Sequence, residues 1–264
     1  MLKQRIITAL LLAPFALLVI LWVPHQVTMA VFALLVLAGA WEWAAFSALT
    51  GTLPRFAYVI VIALGIGALW KLGVQTAQLD VVLYVSIAWW VIAVAWIAFM
   101  PMHMNRFATL IAGVLVLVPA WLALVRLHAL ASQLLLFLVL LVVAADVGAY
   151  FGGRRFGKHK LAPRVSPGKT WEGVYGGLVA AILLAIVGVF WFHVSAPAFV
   201  ALCAVVVIAS VVGDLTESLF KRHAGLKDSG SLLPGHGGVL DRVDSVTAAA
   251  PVFLLGLERL GLFS

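Results

Sequence analysis

The chain has 264 residues, of which 65% are hydrophobic and only 10% are charged. A soluble domain carries about 25% charged residues, so these proportions exclude an ordinary soluble enzyme and predict an all-α, polytopic membrane protein. The formal net charge of +7 does not indicate nucleic acid, because no aromatic-basic RNA-binding module accompanies it.

Apolar runs of about 20 residues fit helices crossing a hydrocarbon layer about 30 Å thick, whereas β-barrel spans are shorter and alternate in polarity. In chain order the predicted spans are Ile6–Val23, Val27–Leu49, Phe56–Leu72, Val81–Met100, Phe107–Val125, Gln133–Phe151, Val174–His193, Pro197–Leu215 and Val246–Leu262. The first has no small-x-small site after it and reads as a retained anchor rather than a cleaved signal. Cys203, the single cysteine, lies within a span; it excludes an intramolecular disulfide and a Cys-based zinc site.

Lysine and arginine set the expected orientation. With the N-terminus inside, Lys3, Arg5, Arg55, Arg106, Arg154, Arg155, Lys158, Lys160, Arg164, Lys169, Lys221, Arg222, Lys227 and Arg242 are cytoplasmic, and only Lys71, Arg126 and Arg259 lie opposite. This bias puts both large polar loops in the cytoplasm, as in a bacterial-type inner membrane.

Acidic residues are few and unevenly placed. Glu42 and Asp80 are the only two before residue 131, whereas Asp146, Glu172, Asp214, Glu217, Asp228, Asp241 and Asp244 follow within one stretch. Residues 1–130 therefore read as transmembrane scaffold and residues 131–264 as the catalytic region of a single membrane unit. Glu42, between Trp41 and Trp43, is the exception. It is either a polar wall of the active cavity or a structural carboxyl bonded to a neighbouring helix.

Chemistry concentrates in Ser218–Ser245, SLFKRHAGLKDSGSLLPGHGGVLDRVDS. Charges at this density in a membrane protein are normally used. Asp214, Glu217, Ser218 and Lys221 follow offsets of 0, +3, +4 and +7, one face of a helix; Asp241 and Asp244 lie one turn apart. Such hard oxygen donors suit Mg²⁺ shared with substrate phosphates, unless they form interfacial ion pairs instead. Gly237 and Gly238 can present backbone N–H groups to an anion, with His236 orienting a phosphate or carboxylate oxygen.

An earlier loop starts at Asp146, within the sixth span. Arg154, Arg155, Lys158 and Lys160 either attract a nucleotide triphosphate or anchor the loop to anionic headgroups, and the second is the expectation. Ser166-Pro167-Gly168-Lys169-Thr170 lacks the first glycine of a P-loop, since Pro163 stands there, and no strand is expected before it. Ser166, Lys169 and Thr170 still place hydroxyl, ammonium and hydroxyl before a helix N-terminus, and Glu172 is expected to cap that helix or approach a metal.

The segment Ser218–Asp244 resembles the signature of the phosphatidate cytidylyltransferases, through Ser218, Phe220, Lys221-Arg222, Lys227-Asp228, Gly230, Leu233, Pro234, His236-Gly237-Gly238-Val239 and Asp241-Arg242-Val243-Asp244. Asp146, Ala149-Tyr150, Gly153 and Ser166–Gly173 are similar to the family's earlier loop. The resemblance implies transfer of CMP from CTP to phosphatidate, Mg²⁺ with a possible K⁺ as second ion, and a homodimer in the bilayer. On it, Asp214, Asp241 and Asp244 are the expected metal ligands, with Asp146 and Glu217 in support. Lys221, Arg222, Lys227, Asp228, His236 and Arg242 complete the expected catalytic set; Ser166, Lys169, Thr170, Glu172, Ser218, Gly237 and Gly238 would bind substrate.

Two alternatives compete. A CDP-alcohol or polyprenyl-phosphate transferase also places aspartates beside a membrane, but the former's D-G-x-x-A-R element is absent. A phosphate-anion transporter would put charge near the midplane and show paired repeats.

Overall fold

A computed structural model describes residues 2–49, 51–99, 105–232 and 237–263. Nine α-helices make up most of them: α1 Leu2–Leu21, α2 His25–Phe46, α3 Thr52–Leu72, α4 Asp80–Phe99, α5 Arg106–Leu130, α6 Ser132–Phe156, α7 Trp171–Phe192, α8 Ala196–His223 and α9 Leu240–Arg259. Seven of them, α2 to α8, are long and apolar enough to cross a membrane, and the protein is a multi-pass membrane protein.

Local signals explain several boundaries. Asn105 caps α5 by accepting the Ala108 N–H at 2.8 Å, and Thr170 caps α7 by accepting that of Gly173 at 3.2 Å. Gly73, at φ +86°, ends α3 in a conformation that side chains disfavour.

α5 and α9 form the centre of the bundle, with Leu117, Trp121, Leu122, Ala248, Ala249, Phe253 and Leu254 buried along them. The outer helices present side chains such as Leu64, Val91 and Phe190 on their exposed faces. α9 is less apolar than the others because protein, rather than lipid, surrounds it. Its 20 residues still rise about 30 Å at about 1.5 Å each. One continuous apolar core joins the two regions distinguished in the sequence.

Beside the site, α8 and α9 run beyond the apolar spans predicted for them. α8 runs on to His223 and α9 begins at Leu240, so Asp214, Glu217, Ser218, Lys221, Asp241 and Asp244 all sit on helices. Of the charges that ended the apolar runs, Lys221 of α8 is paired with Asp241 of α9 and with Glu217 of its own helix. A further difference is a two-stranded antiparallel hairpin, β1 Lys160–Ala162 and β2 Ser166–Thr170, between α6 and α7. The strand that was not expected there thus contains Lys169 itself.

α6 and α7 meet along a glycine seam. A Cβ on Gly148 would lie 2.5 Å from the Gly176 carbonyl oxygen, and one on Gly177 would lie 2.9 Å from that of Ala145. Small residues at four-residue spacing allow such backbone approach in a membrane. At the other end of the bundle Arg126 of α5 pairs with Asp80 of α4 and Glu258 of α9, both at 2.7 Å. Arg259 adds a contact to Asp80 at 3.1 Å. This clasp is far from the polar loops, as the charge pattern requires.

Candidate active site

The ends of α6 and α8, the starts of α7 and α9, and the hairpin enclose a cavity of about 400 Å³. Asp146, Tyr150 and Arg154 reach it from α6, Lys169 and Thr170 from β2, Ser210 and Asp214 from α8, and Ser245 from α9. Asp146, Tyr150 and Arg154 share a helix face because they are four residues apart. Arg154 Nη1 donates to the Tyr150 hydroxyl at 2.9 Å, and its guanidinium carbon lies 5.9 Å from the ring centroid. Lys169 Nζ lies 2.6 Å from Asp214 Oδ2, and Ser218 Oγ donates to Asp214 Oδ1 at 3.3 Å. Two carboxylates and two cations therefore line one pocket, within the size range of small-molecule sites.

A second hollow of about 620 Å³ opens beside the first and shares Leu161, Val174 and Val211 with it. Its other walls are largely apolar, including Ile97 of α4, Leu178 of α7 and Ile208 of α8, with Arg164 of the hairpin also in its lining. A charged cavity and an apolar groove thus adjoin across three side chains.

The other expected residues that the structure describes lie outside the cavity lining. Lys221 is buried, with Nζ 2.6 Å from Asp241 Oδ1 and 3.0 Å from Glu217 Oε1. The second contact is an ion pair without hydrogen-bond alignment, since Glu217 Oε1 has no hydrogen-bond partner. Asp241 Oδ2 accepts the Ser229 N–H at 2.9 Å, the Ser229 hydroxyl at 3.0 Å and the Gly238 N–H at 2.8 Å. Gly237 stands at φ +84°, and a Cβ there would lie 2.6 Å from Asp241 Oδ2. The Gly238 N–H expected to meet substrate phosphate is thus given to the chain's own carboxylate.

Asp244 Oδ1 accepts the Ser245 N–H at 2.7 Å, one residue from the cavity wall. Its carbonyl packs on Gly213 of α8, where a Cβ would come within 2.6 Å. Arg222, Lys227, Asp228 and Arg242 are exposed at the polar end. Ser166 pairs with Ala162 at the far end of the hairpin. Thr170 is the α7 cap already described. Glu172 accepts the N–H groups of Lys158 and His159 at 3.1 and 3.2 Å and meets His159 Nδ1 at 2.7 Å; it ties the α6–β1 turn to α7. His236 lies outside the described residues.

Arg154, expected chiefly as a lipid anchor, lines the cavity instead. Ending the sixth span at Phe151 removed it from the helix that carries Asp146. Glu42 also proves to be bonded to neighbouring elements: its carboxylate accepts the Val239 and Leu240 N–H groups and the Ser229 hydroxyl, each at 2.9 Å.

Among the described residues, no three His, Cys, Asp or Glu side chains form a ready-made metal cage. Mg²⁺ is commonly held by one or two carboxylates plus substrate phosphates. The oxygen donors of Asp146 and Asp214 in one cavity fit that pattern. Asp241, with Lys221 on one oxygen and three donors on the other, does not.

The profile of the Cytidylyltransferase family matches residues 3–259. The chain belongs to this family. It is 46% identical over 276 aligned positions, 96% of each chain, to the phosphatidate cytidylyltransferase of Pseudomonas aeruginosa. With the phosphatidate cytidylyltransferase of Haemophilus influenzae it shares 39% identity over 285 positions, 96% of this chain and 97% of that one. The same-named protein of Staphylococcus haemolyticus is 45% identical over 120 positions, 45% of this chain. The chain is thus a nucleotidyltransferase of the membrane.

Proposed function

We propose that the protein transfers CMP from CTP to phosphatidate, giving CDP-diacylglycerol and pyrophosphate. The observation that carries this reading is the shared wall of Leu161, Val174 and Val211 between a charged cavity and an apolar groove. Phosphatidate is a phosphate on two acyl chains, so its two halves match the two hollows. The family membership and the two near full-length relatives support the same reaction.

A phosphatidate oxygen forms the new bond to the α-phosphorus of CTP as the bond to the β-phosphate oxygen breaks, and the electron pair leaves with pyrophosphate. Phosphate monoesters are already ionised at neutral pH, so no general base is needed. The protein's task is then positioning and charge neutralisation. Lys169 and Arg154 hold phosphate oxygens in the cavity; Thr170 and Ser210 fix its walls. Arg164 and the groove residues hold the lipid with its headgroup toward Asp146 and Asp214. Those two carboxylates would hold Mg²⁺, with Asp244 behind them. When bound, the ion supplies charge neutralisation at phosphate oxygens.

The lysine and arginine pattern supports a cytoplasmic polar end, where CTP arrives from water. The test is pyrophosphate release by the purified protein. Release should require CTP, phosphatidate and Mg²⁺ together; release with CTP alone would contradict the reading.

A further inference from the structure

We propose that Glu42 is a positioning residue for the reaction, acting from the N-terminal region as the cap of α9. The inference rests on the cytidylyl-transfer reading for its activity readout, and on geometry alone for its structural one.

α9 begins without a cap of its own. Its N-cap residue is Val239, whose side chain accepts no hydrogen bond. A helix start leaves backbone N–H groups that need acceptors, ordinarily from an adjacent Ser, Thr, Asp or Asn. Here the acceptor comes from α2, 197 residues earlier in the chain than Val239. Glu42 is only 5% exposed, and its two oxygens take the Val239 and Leu240 N–H groups at 2.9 Å. A carboxylate at this place also complements the helix dipole.

A local cap would fix only the helix start. A cap borrowed from another helix fixes α9 relative to α2, and with it Asp241 and Asp244. The link to Asp241 is direct: the Ser229 hydroxyl is 2.9 Å from Glu42 Oε2 and 3.0 Å from Asp241 Oδ2. One hydroxyl proton serves both carboxylates, so each helps to set the other's place. Asp241 in turn holds Lys221 at 2.6 Å.

Gly230 and Gly238 approach Glu42 without spare room. A Cβ on Gly230 would lie 2.6 Å from Glu42 Oε1, and one on Gly238 would lie 2.5 Å from the same atom. Glutamine cannot replace this carboxylate, because its NH₂ must face at least one of the three donors. Substitutions here therefore reach the reaction through the seating of α9, without contact to substrate.

The experiment compares Glu42→Gln, Ser229→Ala and Gly230→Ala with the wild type as purified full chains in lipid nanodiscs. Turnover per folded molecule, KM for CTP and for phosphatidate, and amide exchange at residues 238–241 are measured. Glu42→Gln should lower kcat at least about tenfold, the scale on which small misplacements act. Both KM values should stay within about twofold, and exchange at Val239 and Leu240 should rise. Gly230→Ala should reproduce this pattern, and Ser229→Ala should show a weaker form. Combining Glu42→Gln with Asp241→Asn should cost less than the product of the two single losses, since both act through one seat. Normal kcat per folded molecule in Glu42→Gln, or in both of the other variants if it does not fold, would overturn the proposal. So would unchanged exchange at residues 238–241. A wild type without cytidylyl transfer would sink the proposed reaction instead, and the exchange result would still decide the role of Glu42.

Discussion

The Lys169 ammonium and the Asp214 carboxylate meet at 2.6 Å, joining the hairpin to α8 across the mouth of the charged cavity. The pair puts a cation for substrate phosphate and an oxygen donor for a metal side by side. Each is about a quarter to a third exposed, so water and substrate can reach both.

Lys169→Met should lower turnover by about 100- to 1,000-fold, the range for removing one electrostatic stabiliser. Asp214→Asn should cost a similar factor. The double variant should lose less than the product, because the pair shares one function. Steady-state kinetics on protein of equal helicity checks this; strict multiplicativity would separate their roles.

Magnesium titration should distinguish the carboxylates. Asp146→Asn and Asp214→Asn should raise the Mg²⁺ concentration for half-maximal activity at least about tenfold, since one ligand charge is lost. Asp241→Asn should lower activity with little change in that concentration, because its oxygens serve Lys221, Ser229 and Gly238.

The groove predicts a split between substrates. Leu178→Trp or Ile97→Trp should raise KM for phosphatidate about tenfold or more, the scale on which misfitting apolar pockets discriminate. KM for CTP should change less than about twofold. Equal shifts for both substrates would remove the groove from lipid binding.

Two glycines form a matched pair for stability. Gly148→Ala should destabilise the protein by about 1–3 kcal/mol, as overpacking does, because a Cβ there meets the Gly176 backbone. Gly67→Ala, where nothing lies within 4 Å, should cost nothing and add up to about 1 kcal/mol from helix propensity. Thermal unfolding in one detergent compares them.

The opposite end of the bundle should affect stability but not chemistry. Arg126→Met leaves Asp80 and Glu258 together without their shared cation, a change that costs about 3 kcal/mol when a buried pair is broken. Unfolding should shift accordingly while turnover of the folded fraction stays normal.

The helices were legible in the sequence because lipid demands long apolar runs. Hydropathy alone stops short of their polar ends, because Lys221 of α8 is buried against Glu217 of its own helix and Asp241 of α9, a compensation hydropathy does not record. The hairpin around Lys169 has no apolar alternation to announce its short strands. The helix that carries Asp146 runs on past the apolar stretch to Phe156, which brings Arg154 to the same face. The partner of Glu42 lies nearly the whole chain away, so periodicity around Trp41 and Trp43 could not identify it. Asp214 and Lys169, each expected from its local motif, were expected separately; only folding makes them neighbours.

The reaction turns on which phosphorus of CTP reaches the lipid. Purified protein should be incubated with Mg²⁺, phosphatidate and CTP labelled either at the α- or at the γ-phosphorus, and the lipid extracted. CMP transfer should leave α-label in the lipid as CDP-diacylglycerol, with γ-label wholly in water-soluble pyrophosphate. Label from the γ-phosphorus in the lipid, or no lipid label from either position, would contradict it.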